Sequence, residues 1–261
     1  MIHTGLCSIT FRDLPPKEIV QLVSKAGLDS IEWGGDVHVP HGDLTKAREV
    51  RAITEDAGIE IVSYGSYYKV GVSENNGLTF ESVLATAVEL CAPNIRVWAG
   101  DRGSEESEQG YIDQVIADSI RIADMAVKES VTVSYEYHVN TLTDTLDSAL
   151  GLLNIVDHPN MLCYWQPPFN SKVEQNLEAI AQLLPWLSII HVFYWPEGPE
   201  VQFRPLSEGA EKWSKYLSAL ASSKNTMYTL LEFVRDNSPH QFLEDARTLQ
   251  TWLKQTEGQG K

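Results

Sequence analysis

The sequence has no apolar run approaching the roughly 20 residues that a membrane-spanning helix needs. Its opening stretch, MIHTGLCSITFRD, has neither the basic start nor the long apolar centre of a secretion signal. Cysteine is scarce: Cys7, Cys91 and Cys163 are far apart and form no CxxC. An odd, scattered set argues against a disulfide framework and for a reducing compartment, so a cytoplasmic protein is expected. Positive charge is also scarce, with 20 Lys and Arg against 36 Asp and Glu, a net charge of −16. That field repels nucleic acid and anionic membranes, and neither is expected as a partner. Glycine-rich phosphate loops are missing too, since no GxGxxG or GxxxxGK[ST] follows any apolar run.

What is present is alternation. Short apolar runs at 2–9, 29–34, 59–66, 94–100, 131–138, 160–166, 187–195 and 227–235 read as strands. Amphipathic segments at 15–27, 43–58, 79–92, 111–130, 141–156, 173–184, 207–223 and 238–255 read as helices. Prolines open the first helix and Gly27 closes it, and Ser238 with Pro239 starts the last. The remaining tail, 256–261, is expected to fray. Eight strand–helix units without a linker predict a (β/α)8 TIM barrel, one domain over 1–261. A doubly wound open sheet is the alternative, and the missing phosphate loops count against it.

In such a barrel the active site lies at the C-terminal ends of the strands. Successive strand residues face opposite sides. That puts Glu136 and His138 on the inward face of strand 5, at its end. Strand 6 ends on inward Gln166. Strand 7 carries His191 among Ile189 and Phe193, and strand 8 carries Glu232 on the face of Leu230 and Val234. A buried carboxylate needs a cation or hydrogen-bond donors; for Glu232 taken alone that cation is Arg235 or Arg96, and Arg96 shares the inward face of strand 4 with Trp98. Singly, each residue has an ordinary structural explanation. Together, four successive strands about 4.8 Å apart each present a lone-pair donor: Glu136, Gln166, His191 and Glu232. This mixed O/N set suits one divalent metal ion, Mn, Co, Zn or Mg.

At these residues the chain resembles the xylose isomerase-like superfamily of TIM barrels, the sugar isomerases and epimerases related to AP endonuclease family 2. The resemblance covers essentially the whole chain. It rests on Glu136 in YEYH, His191 in IHVFYW, Glu232 in LLEF and the segment RPLSEGAEKW with Gly209. The family's ligands are a Glu, an Asp, a His and a Glu from strands 5 to 8. Here Gln166 stands where Asp is usual, leaving two negative charges instead of three. Tyr194 is a second departure, where the family often has Asp.

The resemblance implies an isomerase or epimerase of a small, non-phosphorylated sugar or keto-polyol. In it Glu136 and Glu232 transfer protons while the ion holds the substrate oxygens and stabilises an enediolate. His138 then faces a substrate hydroxyl. Trp98 and Tyr64 face inward as ring-binding aromatics, Glu32 binds a hydroxyl or forms a salt bridge, and Arg204 reaches over the site from a lid-like loop. His38 and His41 are expected in a lid or solvated loop at the mouth. The competing reading on the same scaffold is a lyase or hydrolase that expels a leaving group from an oxidised glycoside or related sugar. An apurinic-site endonuclease is disfavoured by the charge and the single ligand set, and a non-catalytic sugar-binding barrel is the last alternative. Oligomeric state stays open, a homo-oligomer included, because no exposed apolar helix face stands apart.

Overall fold

The computed structural model describes residues 1–223 and 225–259. Its elements run β1 (Ile2–Cys7), α1 (Pro16–Ala26), β2 (Ser30–Gly34), α2 (Leu44–Asp56), β3 (Glu60–Lys69), α3 (Phe80–Leu90), β4 (Asn94–Trp98) and α4 (Gln109–Ala126). They continue as β5 (Thr132–Tyr135), α5 (Leu146–Val156), β6 (Met161–Trp165), α6 (Val173–Leu183), β7 (Leu187–Val192), α7 (Ala210–Leu220), β8 (Met227–Leu231) and α8 (Pro239–Gln259). The strands close in sequence order, β1 to β8, and the paired strands are parallel, so the fold is the (β/α)8 barrel. No helix of the described residues is long and apolar enough to cross a membrane.

Local chemistry sets the boundaries. Pro16 stands at the start of α1, where its missing N–H costs nothing, and Gly27 caps the end with φ 64°. Helix α5 begins at Leu146, not at the expected 141. The Thr143 hydroxyl donates to the Glu136 carbonyl at 2.6 Å and the Thr141 hydroxyl to the His138 carbonyl at 2.7 Å. Those side chains compete with a helical first turn and hold the segment as a loop. Helix α8 continues to Gln259, beyond the expected end at 255, while Gly260 and Lys261 of the expected tail lie outside the described residues.

By internal contacts the chain falls into two compact units. One holds Met1–Ile31, Thr54–Glu60 and the chain from Trp165 onward, and the other Glu32–Ile53 and Ile61–Tyr164. In the first unit, Trp213 packs edge-on to Trp165 and Tyr216 and donates its indole N–H to the Phe193 carbonyl at 2.8 Å. A Cβ at Gly209 would lie 2.6 Å from the Tyr194 ring, so the close approach there requires glycine. In the second unit, Val133, Tyr135, Ile95 and Val97 are fully buried on the outward faces of β4 and β5.

Asp245 on α8 ties down the segment that follows the β7 loop. Its Oδ1 accepts from the Leu206 N–H and from Gln241 Nε2, both at 2.9 Å. Burial pushes its carboxyl up to about 6. An acid whose folded value lies above its unfolded one favours the native state while protonated, and loses that contribution as pH rises through about 4 to 6. Asp245→Asn keeps an accepting oxygen without the charge. It is expected to raise stability by about 1–2 kcal/mol at pH 8 and to change little at pH 4, read by urea denaturation at both.

Candidate metal centre

The first unit supplies the ends of β6, β7 and β8. His191 pairs across the sheet with Leu230, and the Glu232 N–H donates to the Val192 carbonyl at 3.0 Å. This register puts Glu232, two residues beyond Leu230, on the face of His191. His191 is fully buried, and Gln166 and Glu232 nearly so. Gln166 Oε1 lies 3.3 Å from His191 Nδ1, and Glu232 Oε2 lies 3.2 Å from the same nitrogen. The second contact lacks hydrogen-bond alignment, and among the described residues Glu232 Oε2 has no hydrogen-bond donor.

An unsatisfied buried carboxylate oxygen costs more than an ordinary hydrogen bond returns. A cation would relieve that cost. One imidazole nitrogen, one amide oxygen and one carboxylate oxygen crowd a single region, a donor set that Mn, Co, Zn and Mg all accept. The residues present therefore fit a divalent ion.

The second unit supplies the ends of β2 to β5. Here Arg96, 1% exposed, lies between two carboxylates. Its Nε donates to Glu32 Oε1 at 2.9 Å and its Nη1 to Glu136 Oε2. The Tyr164 hydroxyl stands 2.8 Å from the other Glu32 oxygen. Beneath them Asn94 Nδ2 donates to Ser63 and Tyr164, and Ser134 donates to Asn94 Oδ1 at 2.7 Å. Burial and the neighbouring Glu32 charge hold the Tyr164 hydroxyl well above the usual phenol range. Glu32 thus takes the salt-bridge role of its two expected ones.

Trp98 donates its indole N–H to Glu136 Oε2 at 2.6 Å and stacks on His138, ring centroids 4.9 Å apart. His138 Nδ1 lies 2.6 Å from the Val139 carbonyl. A carbonyl only accepts, so Nδ1 carries the proton and Nε2 is the nitrogen available for exchange. Tyr64 is fully buried. Its hydroxyl donates to the Val39 carbonyl at 2.7 Å and takes a hydrogen bond from His41 Nδ1, also at 2.7 Å. Tyr64 pairs in register with outward Ile95, so it is corrected from the expected inward position, and its hydroxyl ties the loop after β2 to β3. His38 is 2% exposed against the Trp33 ring, and burial lowers His41 below the usual imidazole range. The loop is thus packed at His38 and Val39 and exposed at Asp36, Val37, Pro40 and Gly42. Arg204 pairs with Glu208 at 3.1 Å, four residues on, and is half exposed.

The family model for the xylose isomerase-like TIM barrel matches residues 20–256. The chain belongs to the xylose isomerase-like TIM barrel family. Among its relatives, a 3-dehydroshikimate dehydratase of Bacillus anthracis is 30% identical over 202 residues, 72% of this chain and 70% of that one. The crystal structure of a probable 3-DHS dehydratase from Bacillus anthracis matches this xylose isomerase-like barrel with a TM-score of 0.80 at 24% identity, covering 96% of this chain and 99% of that one. A D-psicose 3-epimerase from Clostridium cellulolyticum H10, solved with D-tagatose, matches with a TM-score of 0.71 at 15% identity, covering 97% and 99%. The last two likenesses speak for the fold.

Two features of the site went unread in the sequence. Arg96 was offered Glu232 as a partner, whereas it pairs with Glu32 and Glu136, which share its inward parity. Lys69 and Tyr67 were missed because β3 was ended at 66, whereas it continues to Lys69 through a bulge.

Proposed function

We propose that this protein is a divalent-metal-dependent dehydratase of a cyclic hydroxy-ketone acid of the 3-dehydroshikimate type. The observation that carries it is the 30% identity with the Bacillus anthracis dehydratase over 202 residues. The isomerase or epimerase outcome expected from the sequence comes second, because the epimerase likeness is one of fold. The same proton abstraction serves both outcomes; what differs is whether a proton returns to carbon or a hydroxyl leaves.

In this reading Gln166, His191 and Glu232 hold the ion, and Glu136 joins them. Glu136 is assigned by the resemblance to the family, whose ligand from strand 5 is a Glu. When bound, the ion supplies a Lewis acid for the ketone oxygen. Glu136, oriented by Arg96 and Trp98, removes the proton from the carbon beside the ketone. The C–H electron pair becomes a C=C bond, the C–O bond at the next carbon breaks, and the hydroxyl departs. The proton taken by Glu136 goes to that hydroxyl, so it leaves as water, while His138 Nε2, bare because Nδ1 holds the proton, accepts the hydroxyl's hydrogen bond and orients it. Glu232 then takes the second ring proton and passes it to the ketone oxygen. The product is the aromatic 3,4-dihydroxybenzoate, the substrate less one water.

The test is to load the purified protein separately with Mn, Co, Zn and Mg and add 3-dehydroshikimate. Appearance of 3,4-dihydroxybenzoate, followed by ultraviolet absorbance and chromatography, is the expected result. No aromatic product under any of the four ions, together with epimerisation of D-psicose, would return the protein to the epimerase reading.

A further inference from the structure

We infer that Lys69 is the anchor for the substrate's carboxylate, the residue that selects a ring acid over a neutral sugar. The inference rests on the dehydratase reading above and deepens it. It starts from the end of β3. Gly65 pairs with Arg96, Tyr68 with Val97 and Lys69 with Trp98, so Ser66 and Tyr67 are extra residues bulged out of the ladder. The bulge puts Tyr67 in the left-handed region, φ 54°, and lays its ring against Arg96, 4.8 Å from the guanidinium carbon. Bulges beside strand ends re-aim side chains. Beyond this one, Tyr68 faces the helices, where its hydroxyl meets Asp118 at 3.2 Å, and Lys69 shares the face of Arg96 and Trp98. The Lys69 N–H donates to Ser73 Oγ at 2.7 Å, which fixes its backbone.

The Lys69 ammonium lies over the Trp98 ring, 5.7 Å from its centroid. The same indole donates to Glu136. The lysine and the proposed base thus both touch one ring, the ammonium at its face and the carboxylate at its N–H edge. Trp98 and His138, stacked on each other, supply flat surface beside them.

Among the described residues no carboxylate pairs with Lys69, although the chain carries 36 acidic side chains. The neighbouring cations are committed: Arg96 to Glu32 and Glu136, Arg121 to Glu74 and Asp118. Lys69 is half-buried, and an ammonium taken partly out of water without an acid is under-compensated. A ligand carboxylate supplies the missing partner through a charge-assisted hydrogen bond. With Glu32 and Glu136 balanced by Arg96 and Lys69, an incoming anion meets no local excess of negative charge. A neutral ketose gains nothing from this ammonium that water does not already offer.

The experiment compares the wild type with Lys69→Met and Lys69→Arg. Calorimetric titration of the metal-stripped protein with 3,4-dihydroxybenzoate and with catechol, the same ring without its carboxylate, reads the anchor apart from turnover. The wild type is expected to prefer the acid. Lys69→Met is expected to weaken the acid by about 10- to 100-fold, the span of one lost charge-assisted hydrogen bond, and to leave catechol where it was. Lys69→Arg is expected to retain most of the preference. In the loaded enzyme Lys69→Met should raise KM for 3-dehydroshikimate far more than it lowers kcat. Equal affinities for the acid in wild type and Lys69→Met, or failure of the acid to bind the wild type, would overturn the inference. Lysine-dependent binding without any dehydration would sink the dehydratase reading and leave the anchor standing. Dehydration with an unchanged KM in Lys69→Met would do the reverse.

Discussion

His191→Ala and Glu232→Gln are each expected to lower affinity for a divalent ion by more than about 100-fold, beyond what loss of a mere supporting contact does. His191 contributes the nitrogen around which the Gln166 and Glu232 oxygens gather at 3.3 and 3.2 Å. Removing it deletes a ligand and frees the other two to relax. Glu232→Gln keeps the shape and removes the charge, so it isolates electrostatics from packing. Gln166→Asp is the informative opposite. It restores the third negative charge usual in the family and is expected to tighten binding. Chelator competition followed by mass-spectrometric metal analysis measures all three. Unchanged metal content in His191→Ala would remove the centre from this position, and weaker binding in Gln166→Asp would mean that the glutamine amide is not a ligand.

Arg96→Met is expected to destabilise the fold by about 3–5 kcal/mol, the scale of breaking a buried ion pair and stranding its partner. Two carboxylates would be stranded here, since Glu32 and Glu136 both lean on the one guanidinium. Adding Glu32→Gln to Arg96→Met is expected to recover part of the loss, because one uncompensated charge goes with it. Arg96→Lys is not a conservative change: a point ammonium cannot offer Nε to one acid and Nη1 to the other. Urea denaturation of the three variants measures the effect. A loss below about 1 kcal/mol for Arg96→Met would show that water reaches the carboxylates and replaces the arginine.

The two sets of variants probe residues that were unequally legible. The metal side could be read because each ligand breaks an apolar run: Gln166 ends CYWQ, His191 interrupts SIIHVF and Glu232 interrupts TLLEF. Strand parity then sets their facing, since it needs only a count of two. The arginine side was half legible. Parity put Glu32 and Arg96 inward, but parity does not say which of several inward charges meet. Tyr64 shows the limit more sharply: expected inward, it pairs in register with outward Ile95, and its hydroxyl is spent on Val39 and His41.

The sequence by itself determined the barrel, because eight periodic segments and their proline and glycine punctuation are local signals that survive without neighbours. It also determined which residue types could carry the chemistry. Only the tertiary structure decided how the charges pair, that Lys69 lies over Trp98 with no acid beside it among the described residues, and that His38 packs against Trp33. Those outcomes depend on a two-residue bulge and on distances between strands remote in sequence, where a shift of a few ångströms separates a salt bridge from a solvated side chain.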